Sequence, residues 1–392
     1  MSADYIPLII GGLVLIASLI SLRIGLSVAI IEILLGAVSG NLGLGTEDWM
    51  MYLATFGGII LTFLAGTEID TKMMRENFKE SFLIGSFSFI APFIGVFLYT
   101  FFVSKWSLSA SLIAGCALST TSLAVVYSVL VETGLSKTEI GKKIMSATFV
   151  TDMGTALALS VLFIKPTIYT LLFVVVSITL IALVYRYSLS VLRNPRWAGK
   201  VIEPEIKFIL LVLLAFIYFA KLGDGHAVLP AFILGLLMSK HFKEQRKTVA
   251  VRNKLRTVAY AIVTPVFFIV GGMKLSFTLI LSALGLFIIL FTVKIITKFA
   301  GVWFFAKKYI PHGSMYTTLL MSTGLTFGTI SSLFGYQAGL INQVQYSVLV
   351  GVVVASAVIP TFIAQKWFMP HHTEDILEDG DVVQDAKIES MI

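Results

Sequence analysis

A single cysteine, Cys116, stands in 392 residues, so no intramolecular disulfide can form and no cysteine-based metal cluster can assemble. Charge is the next scarcity. Asp, Glu, Lys and Arg make up 13% of the chain against 57% for apolar types, where soluble domains carry about a quarter charged residues. That balance excludes an ordinary water-soluble fold. The net charge of +7 does not mark a nucleic-acid binder, because the basic residues are scattered between apolar runs and form no stripe or arm. No basic stretch precedes the first apolar run, and Arg23 follows it. A cleaved signal peptide has the opposite order, so the first run is expected to remain as a helix. The chain also lacks a P-loop, a His-Glu-x-x-His pair and a nucleophile elbow. A paired-aspartate protease working inside a membrane would need a second Asp in a Gly-x-Gly-Asp setting; Asp224 instead follows Lys221-Leu222-Gly223 in a short polar loop. No enzyme chemistry is expected.

What is abundant is apolar sequence of membrane-spanning length. The runs predict an all-α membrane protein of about thirteen spans, near 5–21, 24–40, 50–69, 82–103, 107–132, 138–164, 167–186, 205–221, 226–240, 256–273, 277–306, 313–336 and 344–368. Basic residues collect in alternate loops, and only Lys105, Lys165, Lys221 and Lys274 fall in the others. The positive-inside rule then sets the N-terminus outside and the C-terminus in the cytoplasm, and a prokaryotic cell membrane is the expected host. Residues 1–370 read as one transmembrane domain. From His371 to Ile392 the chain becomes a short acidic tail with Glu374, Asp375, Glu378, Asp379, Asp381, Asp385 and Glu389, the composition of a disordered cytoplasmic segment.

Against this background a few residues stand out. Asp152 is the only charge between Lys143 and Lys165. A carboxylate in a run that crosses a bilayer costs several kcal/mol unless it serves an ion or proton site. The fifth and twelfth spans are each interrupted at mid-length by small polar residues, Ser119-Thr120-Thr121-Ser122 and Ser322-Thr323-Gly324-Leu325-Thr326. Such segments are weak as continuous helix. Seven spans apart in thirteen, they fit an inverted repeat of six, one and six helices whose broken helices meet at the midplane. Gly324 and Gly328, like Gly36 and Gly40, also fit ordinary close helix packing. Lys294 and Lys298 lie on one face of the eleventh span. Asp152 is nine residues past Lys143 and Lys298 nine residues before Lys307, so both sit about 13 Å from their inner helix ends. Equal depth makes Lys298, with Lys294 one turn away, the expected basic partner of Asp152. Thr148 and Thr151 beside the carboxylate, with Ser119, Thr120 and Thr121 at the break, are candidate oxygen ligands for a hard cation. Glu32 and Glu68 are weaker candidates.

The set resembles the second monovalent cation:proton antiporter family, which also holds the membrane part of glutathione-gated potassium efflux systems. The resemblance rests on Thr151-Asp152, the Ser-Thr-Thr-Ser break, Pro265-Val-Phe-Phe-Ile-Val-Gly271, Glu32-Ile-Leu-Leu-Gly36, Gly66-Thr-Glu68-Ile-Asp70, Ala231-Phe-Ile-Leu-Gly235 and Lys298 through Lys307, and it covers about residues 5 to 368. It implies the sodium/proton antiporter fold, with two crossed broken helices in a core domain that moves against a dimerisation domain. It also implies a homodimer in lipid, a cation such as sodium or lithium or a proton at Asp152, Lys298 as the intramembrane basic residue, and no cofactor beyond the transported ions. Two departures matter. Thr151 stands where some relatives carry a second acid, which points to one proton exchanged per cation. No G-x-G-x-x-G follows the last span, so gating by a nucleotide-binding domain is not expected. Potassium/proton exchange or potassium efflux is the nearest alternative; an organic-anion symporter of related fold and the aspartyl protease are remoter ones.

Overall fold

Backbone amides left bare in hydrocarbon are costly, so spanning runs close their hydrogen bonds within themselves, as helices. The computed structural model describes residues 5–24, 28–68, 78–135, 138–163, 168–192, 203–223, 227–243 and 246–370, and among these the regular elements are all helical. The acidic tail, Asp70 and Asp224 lie outside the described residues. In chain order the helices are α1 (Ile6–Ile24), α2 (Val28–Asn41), α3 (Asp48–Glu68), α4 (Phe78–Leu98), α5 (Leu108–Ser119), α6 (Leu123–Glu132), α7 (Glu139–Leu162), α8 (Ile168–Leu192), α9 (Pro204–Leu222), α10 (Val228–Lys243), α11 (Arg246–Val258), α12 (Thr264–Met273), α13 (Phe277–Ser282), α14 (Leu284–Tyr309), α15 (Ser314–Met321), α16 (Thr326–Gln337) and α17 (Gln343–Trp367). Among the described residues, 8 stretches are long and apolar enough to cross a membrane, with three shorter apolar helices beside them.

The expected spans all have counterparts, and their differences have local causes. The fifth and twelfth are divided at the anticipated places, into α5 with α6 and α15 with α16. The tenth starts ten residues earlier than expected, at Arg246. Val251 and Leu255, one turn apart, are buried there while Lys254 is exposed, so a basic sequence that reads as a loop becomes an amphipathic helix. It continues through a π turn, Ala259–Val263, into α12, whose second residue is Pro265. The eleventh span is interrupted at Ala283, whose amide bonds back to Leu279 and Ile280, two residues before Gly285.

Contacts sort the helices into two groups. In one, α4 packs on α5, α7 and α14, α5 packs on α16, and α17 packs on α14, α15 and α16. In the other, α2 and α3 pack on α12, α3 packs on α10, and α8 and α9 pack on α10. Spans four to six thus join spans eleven to thirteen, and spans two and three join spans nine and ten, the pairing expected of two matching halves around the seventh span. The second group is drawn tight by Gly36 and Gly272, where an added Cβ would collide with the carbonyl oxygens of Ile269 and Ile33. Small residues let helix backbones approach this closely where no hydrophobic force drives association.

Candidate functional site

The two interrupted spans touch at their breaks. α5 ends at Ser119, with Thr120 already extended (φ −66°, ψ 154°), and α15 ends at Met321. Between these ends and the starts of α6 and α16 the chains cross. Ser122 donates its amide to the Thr323 carbonyl at 3.1 Å, Thr121 donates its hydroxyl to the Met321 carbonyl at 2.8 Å, and the Ser122 and Thr326 hydroxyls are 3.4 Å apart. Gly324 is required here, since a Cβ would lie 2.6 Å from the Lys294 ammonium and 2.8 Å from the Thr120 hydroxyl.

The crossing has two chemical sides. On one, the C-terminal ends of α5 and α15 present partial negative charge, and two buried ammonium groups lie against them. Lys298 donates to Ser88 at 2.8 Å and Thr121 at 2.9 Å, and Lys294 donates to Ser356 at 2.7 Å while lying against Gly324. On the other, Leu123 and Thr326, the first residues of α6 and α16, line a cavity with Asp152, Leu61, Ala65, Tyr260 and Phe327. Helix N-termini carry partial positive charge, so the carboxylate and the ammonium groups each sit where the half-helix dipoles favour them, by about 0.3–2 kcal/mol apiece. Asp152 is 2% exposed, and its buried Oδ1 has no hydrogen-bond partner. The cavity beside it is about 20 Å³, enough for roughly one water-sized occupant.

Asp152 and Lys298, the expected partners, lie close enough to interact electrostatically but share no direct bond. No ion pair within 4.0 Å joins Asp152 to either lysine; among the described residues such pairs occur as Lys142–Glu139 and Lys254–Glu203. Lys298 donates to Thr121, while Asp152 shares its cavity with Leu123, two residues further on. Thr326 is the one side-chain hydroxyl among the residues lining the carboxylate cavity apart from the Tyr260 phenol. Thr151 instead donates to Gly85 of α4 and to Ala147 of its own helix, Thr148 donates to the Met321 sulfur at 3.4 Å, and Ser119 and Thr120 bond back to Cys116 and Ala117. Ser322 and Thr323 bond back to Thr318 and Leu320. Ser88 and Ser356, which satisfy the lysines, escape sequence reasoning because an isolated serine in an apolar span carries no mark of its partner. Glu32 is buried, and its Oε2 has no partner.

Known proteins resemble this chain in both sequence and fold. The model of the family described as "Sodium/hydrogen exchanger, transmembrane" matches residues 11–368. The chain is 27% identical over 358 residues to the probable Na(+)/H(+) antiporter 3 of Methanocaldococcus jannaschii, covering 88% of this chain and 90% of that protein. It is 27% identical over 377 residues to the Na(+)/H(+) antiporter of Enterococcus hirae, covering 90% and 94%. Its fold superposes on the solved sodium proton antiporter MjNhaP1 of M. jannaschii with a TM-score of 0.66 at 13% identity, over 92% of this chain and 98% of that one. These relatives are transporters, not enzymes. The all-helical, crossed broken-helix architecture is the antiporter fold, and this multi-pass membrane protein belongs to the transmembrane sodium/hydrogen exchanger family.

Proposed function

We propose that the protein exchanges sodium for protons across its membrane by alternating access, with Asp152 as the shared site. The deprotonated carboxylate takes either one cation or one proton, and only the occupied carrier reorients. Inward proton flow then drives cation export. The observation that carries this reading is the Asp152 oxygen left without a partner beside a cavity of about 20 Å³, because a buried charge that the protein does not pair must be matched by an occupant. The Thr326 hydroxyl, which lines the same cavity, would add an oxygen to the shell of a hard monovalent cation, which prefers oxygen donors. Lys294 and Lys298 stay outside that shell and hold the C-terminal half-helix ends. With Thr151 in place of a second acid and the lysines charged throughout, one proton moves per cation.

Kinship with the second monovalent cation:proton antiporter family is part of this proposal, as are a homodimer built on the α2–α3–α8–α9–α10–α12 group, an outside N-terminus and residence in a prokaryotic cell membrane. The test is a proton-gradient dequenching assay in proteoliposomes with sodium, lithium and potassium in turn. Sodium-evoked dequenching that disappears in Asp152→Asn supports the proposal. A response to potassium alone would replace sodium exchange with potassium exchange, and normal exchange by Asp152→Asn would overturn the site.

A further inference from the structure

Two cavities are lined by different parts of α3, one by Ala54 to Ile59 and the other by Leu61 and Ala65. The larger, about 440 Å³, opens near Lys221, on the side with few basic loops. Its lining includes Phe267, Ile330 and Ile59, and Asp152 does not line it. The smaller holds Asp152 and reaches toward the side where the basic loops lie. Its walls on that side come from Ala65, three residues before the end of α3, and from Tyr260. Tyr260 belongs to the π turn Ala259–Val263, where the Thr264 amide bonds to the Ala259 carbonyl five residues back. One turn before it, at the end of basic helix α11, the Arg256 guanidinium lies over the Tyr260 ring, 5.7 Å from its centroid.

Among its contacts the ring walls the carboxylate cavity and lies under a guanidinium. We infer that Tyr260, positioned by Arg256, is the closure of the Asp152 cavity on the basic-loop side, so that moving this ring admits a cation to the carboxylate from that side alone. A π turn is suited to such a role, because it places one extra residue in a helical turn and recurs at functional sites. The guanidinium also sets positive charge at the mouth through which a sodium ion would have to pass back, and the cation–π contact ties that charge to the closed position of the ring. Arg256 thus acts through Tyr260, as a positioning residue.

This inference rests on the exchange reading above for its meaning, but its test does not depend on transport. Cys116 is fully buried, so Cys116→Ala gives a thiol-free background, and Ala65→Cys places one reporter thiol on the cavity wall. A membrane-impermeant cationic methanethiosulfonate is applied to vesicles of each orientation. From the basic-loop side, Tyr260→Ala should speed labelling about tenfold, since it removes an aromatic wall and its cation contact together. Arg256→Gln should speed it about two- to fivefold, the effect of one cation–π contact, and Tyr260→Phe, which keeps the ring, should label at the parent rate. Labelling from the opposite side should not change in any variant. Labelling by Tyr260→Ala no faster than the parent overturns the closure, as does Tyr260→Phe labelling as fast as Tyr260→Ala. If Tyr260→Ala does not yield folded protein, Arg256→Gln decides, and an unchanged rate there overturns it. Failure of the exchange reading would show separately, as transport retained by Asp152→Asn.

Discussion

The two sides of the helix crossing are built from the same parts and finished differently. On the lysine side every ammonium has protein partners: Ser88 and Thr121 for Lys298, Ser356 for Lys294. On the carboxylate side Asp152 keeps an oxygen with none. A buried polar group that is satisfied rigidifies the structure, and one that is not stores a demand for something from outside. On the proposed reading the lysines do scaffold work and the aspartate ligand work, although both are intramembrane charges that sequence reading sets side by side.

The sharpest way to break that division is Asp152→Asn. Removing the sole charged ligand should lower sodium-driven proton movement about a hundredfold or more while leaving yield and thermal unfolding close to wild type, because no protein partner is stranded. Purified protein in proteoliposomes reports both quantities. Lys298→Ala should do the reverse and act first on stability. It removes the donor to Ser88 and Thr121 and the counter-charge at the end of α5, so about 3 kcal/mol should be lost from two charge-assisted hydrogen bonds, and Lys294→Ala, with one hydroxyl partner, should cost about half as much. A denaturation series that ranks Lys294 above Lys298 would reverse the assignment.

Gly324→Ala probes the crossing itself. The new methyl must displace the Lys294 ammonium and the Thr120 hydroxyl, an overpacking that should cost about 1–3 kcal/mol, measured as lowered melting with slowed transport. The smallest pair of effects separates the hydroxyl that lines the cavity from one that does not. Thr326→Val should raise the sodium KM about three- to tenfold through loss of one ligand. Thr151→Val should leave that KM within about twofold, since its hydroxyl serves the α4 and α7 backbones and its loss costs stability of about 1 kcal/mol instead. Equal shifts in KM would place Thr151 back in the ion's shell.

Much of this was legible in the sequence because hydrocarbon punishes certain residues whatever surrounds them. Asp152, Lys294 and Lys298 announce themselves as charges in spanning runs, and the Ser-Thr and Thr-Gly clusters announce breaks because those residues weaken helix locally. What stayed hidden depends on which helix lies opposite. Equal depth puts Lys298 within electrostatic reach of Asp152, but depth fixes only one coordinate and does not reveal hydrogen-bond partners. Those of the ammonium are Thr121 and, on α4, Ser88. Likewise Thr151 adjoins Asp152 in sequence yet points about 100° away around the helix, toward Gly85. The early start of α11 was missed because five basic residues outweigh two buried apolar ones in a hydropathy reading, and only packing reveals the stripe of Val251 and Leu255.

The most direct test of a single shared carboxylate is the count of protons released when sodium binds to purified protein, obtained from titration calorimetry in buffers of different ionisation enthalpy on the acid side of the binding transition. One proton per sodium is predicted for the wild type, and no sodium-linked release for Asp152→Asn. Two protons per sodium, or release that survives in Asp152→Asn, would contradict it and move a titrating group to Lys298, Lys294 or Glu32.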